Sequence, residues 1–178
     1  MGKARHGFGQ GGGTNTLAST AANWQDGVVP AEGDSVQFDG TSSKNCDWDL
    51  NILLQDWIQT SSYTGTVTIR TRYPGQGAFT NLAIAGNCLI EGGIWTHPTN
   101  SDTNVMADRL AVSVGGNFTL GSSARIDLIG RGFVAGRGPG AGVDAQSAGA
   151  GASHGGMGGY HMDRLPAPSY GSPTRPDT

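Results

Sequence analysis

The chain has 178 residues, 31 of them glycine, and a net charge of −3. That length allows one domain with an apolar core, and the charge balance excludes the broad basic footprint of a nucleic-acid binder. No apolar run reaches the length of a helical membrane span, and two Glu and two Lys against twelve Asp favour strands and turns over helices.

Residues 1–22 are Gly, Thr, Ser and Ala without a period, and they read as an extended lead-in or cap. The opening string MGKARHGFGQ lacks the apolar core of a signal peptide, so none is visible in this chain. From Asn23 to Gly40, Asp26-Gly27 and Gly33-Asp34 mark turns, and Pro30 forbids an interior strand position. Val36 and Phe38 then alternate with Ser35 and Gln37, which predicts a short strand, with Trp24 as a lid on one end of the core. Cys46, Trp48, Leu50 and Ile52 alternate with Asp47, Asp49 and Asn51. Trp57-Ile58 is a short apolar pair, Tyr63–Thr71 is rich in β-branched residues, and Tyr73–Gly77 holds a Pro-Gly turn.

The segments LAIAGNCLIEGGIW and LAVSVGGNFTLGSSARIDL read as copies. Ile84 matches Val114, Asn87 matches Asn117, Cys88 matches Phe118 and Ile90 matches Leu120, each pair thirty residues apart. The same offset sets Ile52 and Leu54 beside Leu82 and Ile84. A fixed period of this length is the mark of a solenoid. Each copy predicts strand, Gly/Asn corner, strand, Gly corner, strand, which is one coil of a parallel β-helix. The predicted core row is Ile84, Ile90, Val112, Val114, Phe118, Leu120, Ile126 and Leu128. An antiparallel β-sandwich is the structural alternative.

From Gly130 the composition shifts to glycine with few large apolar residues. The predicted organisation is a lead-in or cap (1–22), a β-solenoid (23–129) and a glycine-rich, mostly irregular C-terminal segment (130–178), in an all-β chain.

The strings ANWQDGVVPAEGDSVQFDG, YTGTVTI, LAVSVGGNFTLGSSARIDLIGRGFVAGRGPGAG and HGGMGGY together resemble glycine-rich, parallel β-helix-like segments of large bacterial cell-surface proteins, of the autotransporter-passenger and adhesin kinds. The likeness runs from Asn23 to about Ser172. It implies a stalk, adhesive surface or matrix component at the cell surface or outside the cell. Polysaccharide lyases share the architecture, so the fold alone does not assign activity.

Candidate chemistry is thin. Gly130-x-Gly132-x-x-Ala135 follows an apolar run in the manner of a dinucleotide-binding turn, but Pro139 and further glycines follow where a helix must begin, and no acid lies about twenty residues on. Asp34, Asp39, Asp47 and Asp49 read as turn caps and solvated strand faces, without a calcium-loop pattern. Arg70 and Arg72 share one strand face. His154 and His161 do not match a metal spacing, and Ser153-His154 is adjacency rather than a dyad. Cys46 and Cys88 read as buried free thiols, with a disulfide as the rival. The sequon at Asn117 is read as chance.

No catalytic, cofactor-binding or metal-binding residue is assigned. Trp48, Trp57 and Trp95 are the candidates for glycan or partner contact, although core packing competes for them. Phe133, Tyr160 and Tyr170 are the candidates for subunit packing. The expected function is a non-catalytic structural or adhesive module that self-associates, or joins another copy of a repetitive surface protein, through its glycine-rich segment into a fibre or layer. Carbohydrate binding and a polysaccharide-active β-helix are the alternatives. No nucleic acid and no membrane span are expected.

Overall fold

The computed structural model describes residues 3–100, 105–134, 136–142, 144–145, 148–154, 156–160, 165–169, 171 and 174. The chain divides into two units, Met1–Pro98 with Ala107–Ile129, and Thr99–Met106 with Gly130–Thr178.

The first unit is a parallel β-solenoid of about 4 turns. Its first face stacks β1 (Ala4–Arg5), β2 (Ser35–Phe38), β5 (Trp57–Gln59) and the leading halves of β8 (Cys88–Thr96) and β10 (Phe118–Ile126). The second face stacks a bridge at Leu17, β3 (Cys46–Trp48), β6 (Thr66–Ile69) and the trailing halves of β8 and β10. The third is β4 (Leu53–Leu54), β7 (Leu82–Ile84) and β9 (Val112–Val114). All these strand pairings are parallel, which excludes the antiparallel sandwich. The thirty-residue offset is the register itself: Leu54 lies beside Ile84, Ile84 beside Val114, Cys88 beside Phe118 and Ile90 beside Leu120.

Parallel pairing stacks like positions, so the period-2 alternation of each strand sends the same column of side chains inward in every coil. On the first face the inward columns are Val36–Trp57–Cys88–Phe118 and Phe38–Gln59–Ile90–Leu120. On the second, Cys46, Val67, Trp95 and Ile126 share a column. Each fully buried aliphatic side chain contributes about 1.5–3 kcal/mol against its exposed state. Strand β8 serves two faces because it bends at Gly92-Gly93. Gly93 has φ +72°, and a Cβ there would lie 2.6 Å from the Gly65 carbonyl oxygen.

The predicted core row needs correction at its far end. Ile84 and Ile90 are buried, and Val112 and Val114 are half-buried. Phe118, Leu120, Ile126 and Leu128 are exposed, at 46%, 45%, 38% and 45%. Phe118, Leu120 and Ile126 occupy inward positions of the last coil, where a preceding coil packs below and, among the described residues, no strand pairs with β9 or β10 on the far side. Periodicity locates the inward face of a coil but not whether another coil lies above it.

Residues 1–22, expected as an extended lead-in or cap, fall in the same unit as the coils. Phe8, Ala18 and Trp24 belong to the core, and Phe8 packs edge-on against Trp24 with centroids 5.1 Å apart. Arg5 locks this end by donating to Asp34 at 2.8 Å and to Asp26 at 2.5 Å. Exposed Thr14, Asn15, Ser19, Ala21 and Ala22 give the N-terminal segment a small and polar outer surface.

In the second unit, β11 (Asp144–Ala145) and β12 (Ala148–Gly149) pair antiparallel with each other. Glycine lets backbone lie on backbone here. A Cβ on Gly142 would lie 2.0 Å from the Ala150 carbonyl oxygen, and one on Gly158 would lie 2.2 Å from that of Gly151.

Candidate functional site

The tryptophans form a column inside the solenoid. Trp24 faces Trp48 (6.5 Å between centroids), Trp48 faces Trp57 (4.9 Å), Trp57 faces Trp95 (5.1 Å) and Trp95 faces Phe118 (6.4 Å), all edge-to-face. Such pairs contribute about 0.5–1.5 kcal/mol each beyond their buried area. Trp48, Trp57 and Trp95, the residues read as candidate glycan contacts, are fully buried, so they offer no ring face to a ligand. They point inward because they alternate with outward residues on strands whose neighbours also bury that parity.

A buried amide serves the column. Gln59 accepts from the indole N–H of Trp95 at 3.0 Å and of Trp57 at 3.4 Å, and donates to the Gly92 carbonyl. Gln59 has only a faint signal in the sequence: a polar residue two positions after Trp57, at the inward parity of its strand.

Outside the coils, acids, amides and hydroxyls act as rungs from one coil to the next. Thr16 donates to Asp47, the Ser19 hydroxyl to Asp49 at 2.6 Å, Ser35 to Asp56 at 3.2 Å and Ser113 to Asn81 at 3.2 Å. At one corner the rungs line up. The Asn87 backbone N–H donates to Asp56 Oδ1 at 2.8 Å, and the Asn117 N–H donates to Asn87 Oδ1 at 2.9 Å. Asn117 Oδ1 accepts no hydrogen bond among the described residues.

The four acids noted in the sequence are therefore spent locally. Burial favours the neutral form of Asp34, yet hydrogen bonds from the Lys3 N–H, Arg5 and the Ala31 N–H outweigh it and hold the carboxyl below its usual range. The Thr41 hydroxyl and N–H lower Asp39 in the same way. Arg72 pairs with Asp108 at 3.4 Å, and Arg70 is exposed. Among the described residues no group of three His, Cys, Asp or Glu is placed to hold a metal ion.

Cys46 and Cys88 are both buried free thiols. Burial pushes Cys88 up to about 12 and Cys46 well above the usual thiol range, with Asp47 and Asp49 adding to the latter. Burial thus keeps the thiolate fraction of both small at neutral pH.

At the last coil, Trp95, Leu110, Val112, Val114, Phe118 and Ile126 line an apolar hollow of about 390 Å³. Trp95, Val112, Val114, Phe118 and Ile126 stand out in the sequence and Leu110 does not; that they meet at an open end is visible only in the fold.

In the second unit a cavity of about 800 Å³ is lined largely by glycine and alanine, with Asn100, Met106, Phe133, Arg137, Ser153 and His154. Ser153 is buried; its hydroxyl donates to the Ala167 carbonyl at 2.5 Å and accepts from the Gly158 N–H at 3.0 Å. It is a staple for the loop. Of the candidate packing residues, Phe133 is half-buried with its ring over Gly138, Tyr160 is 63% exposed, and Tyr170 lies outside the described residues. Gly130, the first residue of the nucleotide-like string, has φ +69° in a turn; Ala135 lies outside the described residues. No described helix is long and apolar enough to cross a membrane.

No protein-family model, curated protein or solved structure matches the chain.

Proposed function

We propose that this chain is a non-catalytic structural and adhesive module that works at the cell surface or outside the cell, in association with further copies of itself. The observation that carries the reading is the use of its polar side chains. Asp47, Asp49, Asp56, Asn81 and Asn87 each hold a neighbouring coil. Such rungs, around a column of aromatic rings, stiffen a short rod whose outer faces repeat from coil to coil. The close glycine backbones of the second unit suit a layer that packs against other chains.

The test is twofold. Protease shaving and fractionation of the source cells locate the protein, and beads coated with the purified chain are scored for adhesion to those cells. Surface exposure with adhesion supports the reading. Release of reducing ends or unsaturated uronates from a polysaccharide panel overturns the non-catalytic part, and a protein confined to the cytosol overturns the rest.

A further inference from the structure

The two ends of the solenoid differ. Phe8 and Trp24 close the N-terminal end under a small, polar surface. At the other end Phe118, Leu120 and Ile126, inward residues of the last coil, are exposed and Val112 and Val114 are half-buried, with β9 and β10 unpaired on their far side among the described residues. The aromatic column stops at Phe118, 46% exposed above fully buried Trp95, and the corner ladder stops at Asn117. Edges left open in soluble proteins are usually blunted by Lys, Pro or inward charges. From Leu110 to Ile129 the charged residues are Arg125 and Asp127, 3.5 Å apart.

We propose that this end face is a docking surface for a second copy of the chain, the two last coils meeting about a two-fold axis. The face continues the contact that already joins coil to coil, since the row exposed here is the row buried at every step below. Its size fits. At about 3.3 Å per residue, a thirty-residue coil drawn as a three-sided section encloses roughly 500 Å². With the side chains standing out of it, that is of the order of the 800 Å² or so that each partner gives to a standard interface.

A further coil of the chain in the same register would not supply an apolar cover. The thirty-residue register would bring Gly142, Asp144, Ala148 and Ala150 to the inward positions, none with a large apolar side chain. Head-to-tail stacking would set the apolar face on the polar N-terminal cap. An identical face matches instead. Apolar meets apolar, and the edge of β10 meets its mate antiparallel. The Arg125–Asp127 couple and the Asn117 amide each hold the two complementary halves that a two-fold axis pairs.

This inference deepens the self-association in the proposed function and does not need the adhesive role: a chain that dimerises without adhering, or adheres without dimerising, separates the two. The test is sedimentation equilibrium of the full chain across concentration. The expected result is twice the monomer mass, lost in Phe118→Lys and kept in Thr119→Lys, which puts the same charge one residue along on the outward side. A wild-type monomer at every concentration overturns the proposal, as does a dimer that survives Phe118→Lys. Hydrogen exchange on the wild type decides the case if Phe118→Lys fails to fold. Protection of β9 and β10 amides that rises with concentration supports the proposal. Protection independent of concentration means that the chain covers its own end, and overturns it.

Discussion

Trp95 and Phe118 meet edge-on across the last step of the solenoid, 6.4 Å between centroids, yet the first is fully buried and the second is 46% exposed. Truncating a ring deep in the column therefore costs more than truncating the one at its open end. Trp57, deeper in the column, packs against Phe38 (5.0 Å), Trp48 and Trp95. Trp57→Ala removes a buried indole from between coils and is expected to cost about 3–5 kcal/mol. Phe118→Ala, measured as the dilute monomer, costs about 1 kcal/mol. Denaturant titrations of both variants check the contrast; equal losses would mean that the last coil is covered in the monomer.

Gln59→Leu raises the apolar content of the core and is nonetheless expected to destabilise by about 2–4 kcal/mol. It strands the Gly92 carbonyl and the indole N–H groups of Trp57 and Trp95 in a dry interior. Equilibrium unfolding reads the loss. A neutral or stabilising result would mean that water reaches this layer of the core.

Gly93→Ala is expected to cost about 2 kcal/mol or more, since φ +72° is strained for any side chain and the new Cβ meets the Gly65 carbonyl oxygen, Gln59 and Tyr63. The bend of β8 depends on this residue. Gly130→Ala has φ +69° but open space around it and should cost about 1 kcal/mol. The gap between the two thermal midpoints separates steric clash from backbone strain.

Acid should loosen the N-terminal cap. The Asp34 carboxyl sits below its ordinary value of 3.8 in the folded chain. Its contribution is therefore complete above that value and is lost as pH falls below it, through the folded pKa. Asp34→Asn is expected to be less stable than wild type at neutral pH, the gap closing as pH drops below about 4. Hydrogen exchange in Lys3–Arg5 across that window reads the local opening; a gap constant with pH would show that the carboxyl stays charged or unpaired.

Neither cysteine should react with a thiol reagent in the native state at mild alkaline pH, and both should react once the chain is unfolded. Burial keeps the thiolate fraction small, with Cys88 pushed up to about 12. Fast labelling of Cys88 in native buffer would place β8 in frequent local opening.

The repeat was readable because parallel stacking makes sequence offset and spatial register the same number. Asn87 and Asn117 matched at thirty residues and form a rung of the corner ladder. Asp56, the rung before them, escaped because it sits at thirty-one and is a different residue type. Arg5 and Asp34 escaped because charges 29 residues apart carry no pattern until a coil brings them together.

Composition, the alternation of apolar residues and the thirty-residue period were enough to state an all-β parallel solenoid and most of its inward positions, because those are properties of each strand and its nearest copies. Which inward positions are buried is a property of the stack. Trp48, Trp57 and Trp95 lie inside because coils close over them on both sides. Phe118, Leu120 and Ile126 carry the same pattern one step further and stand open, since burial needs a second layer that no single strand encodes.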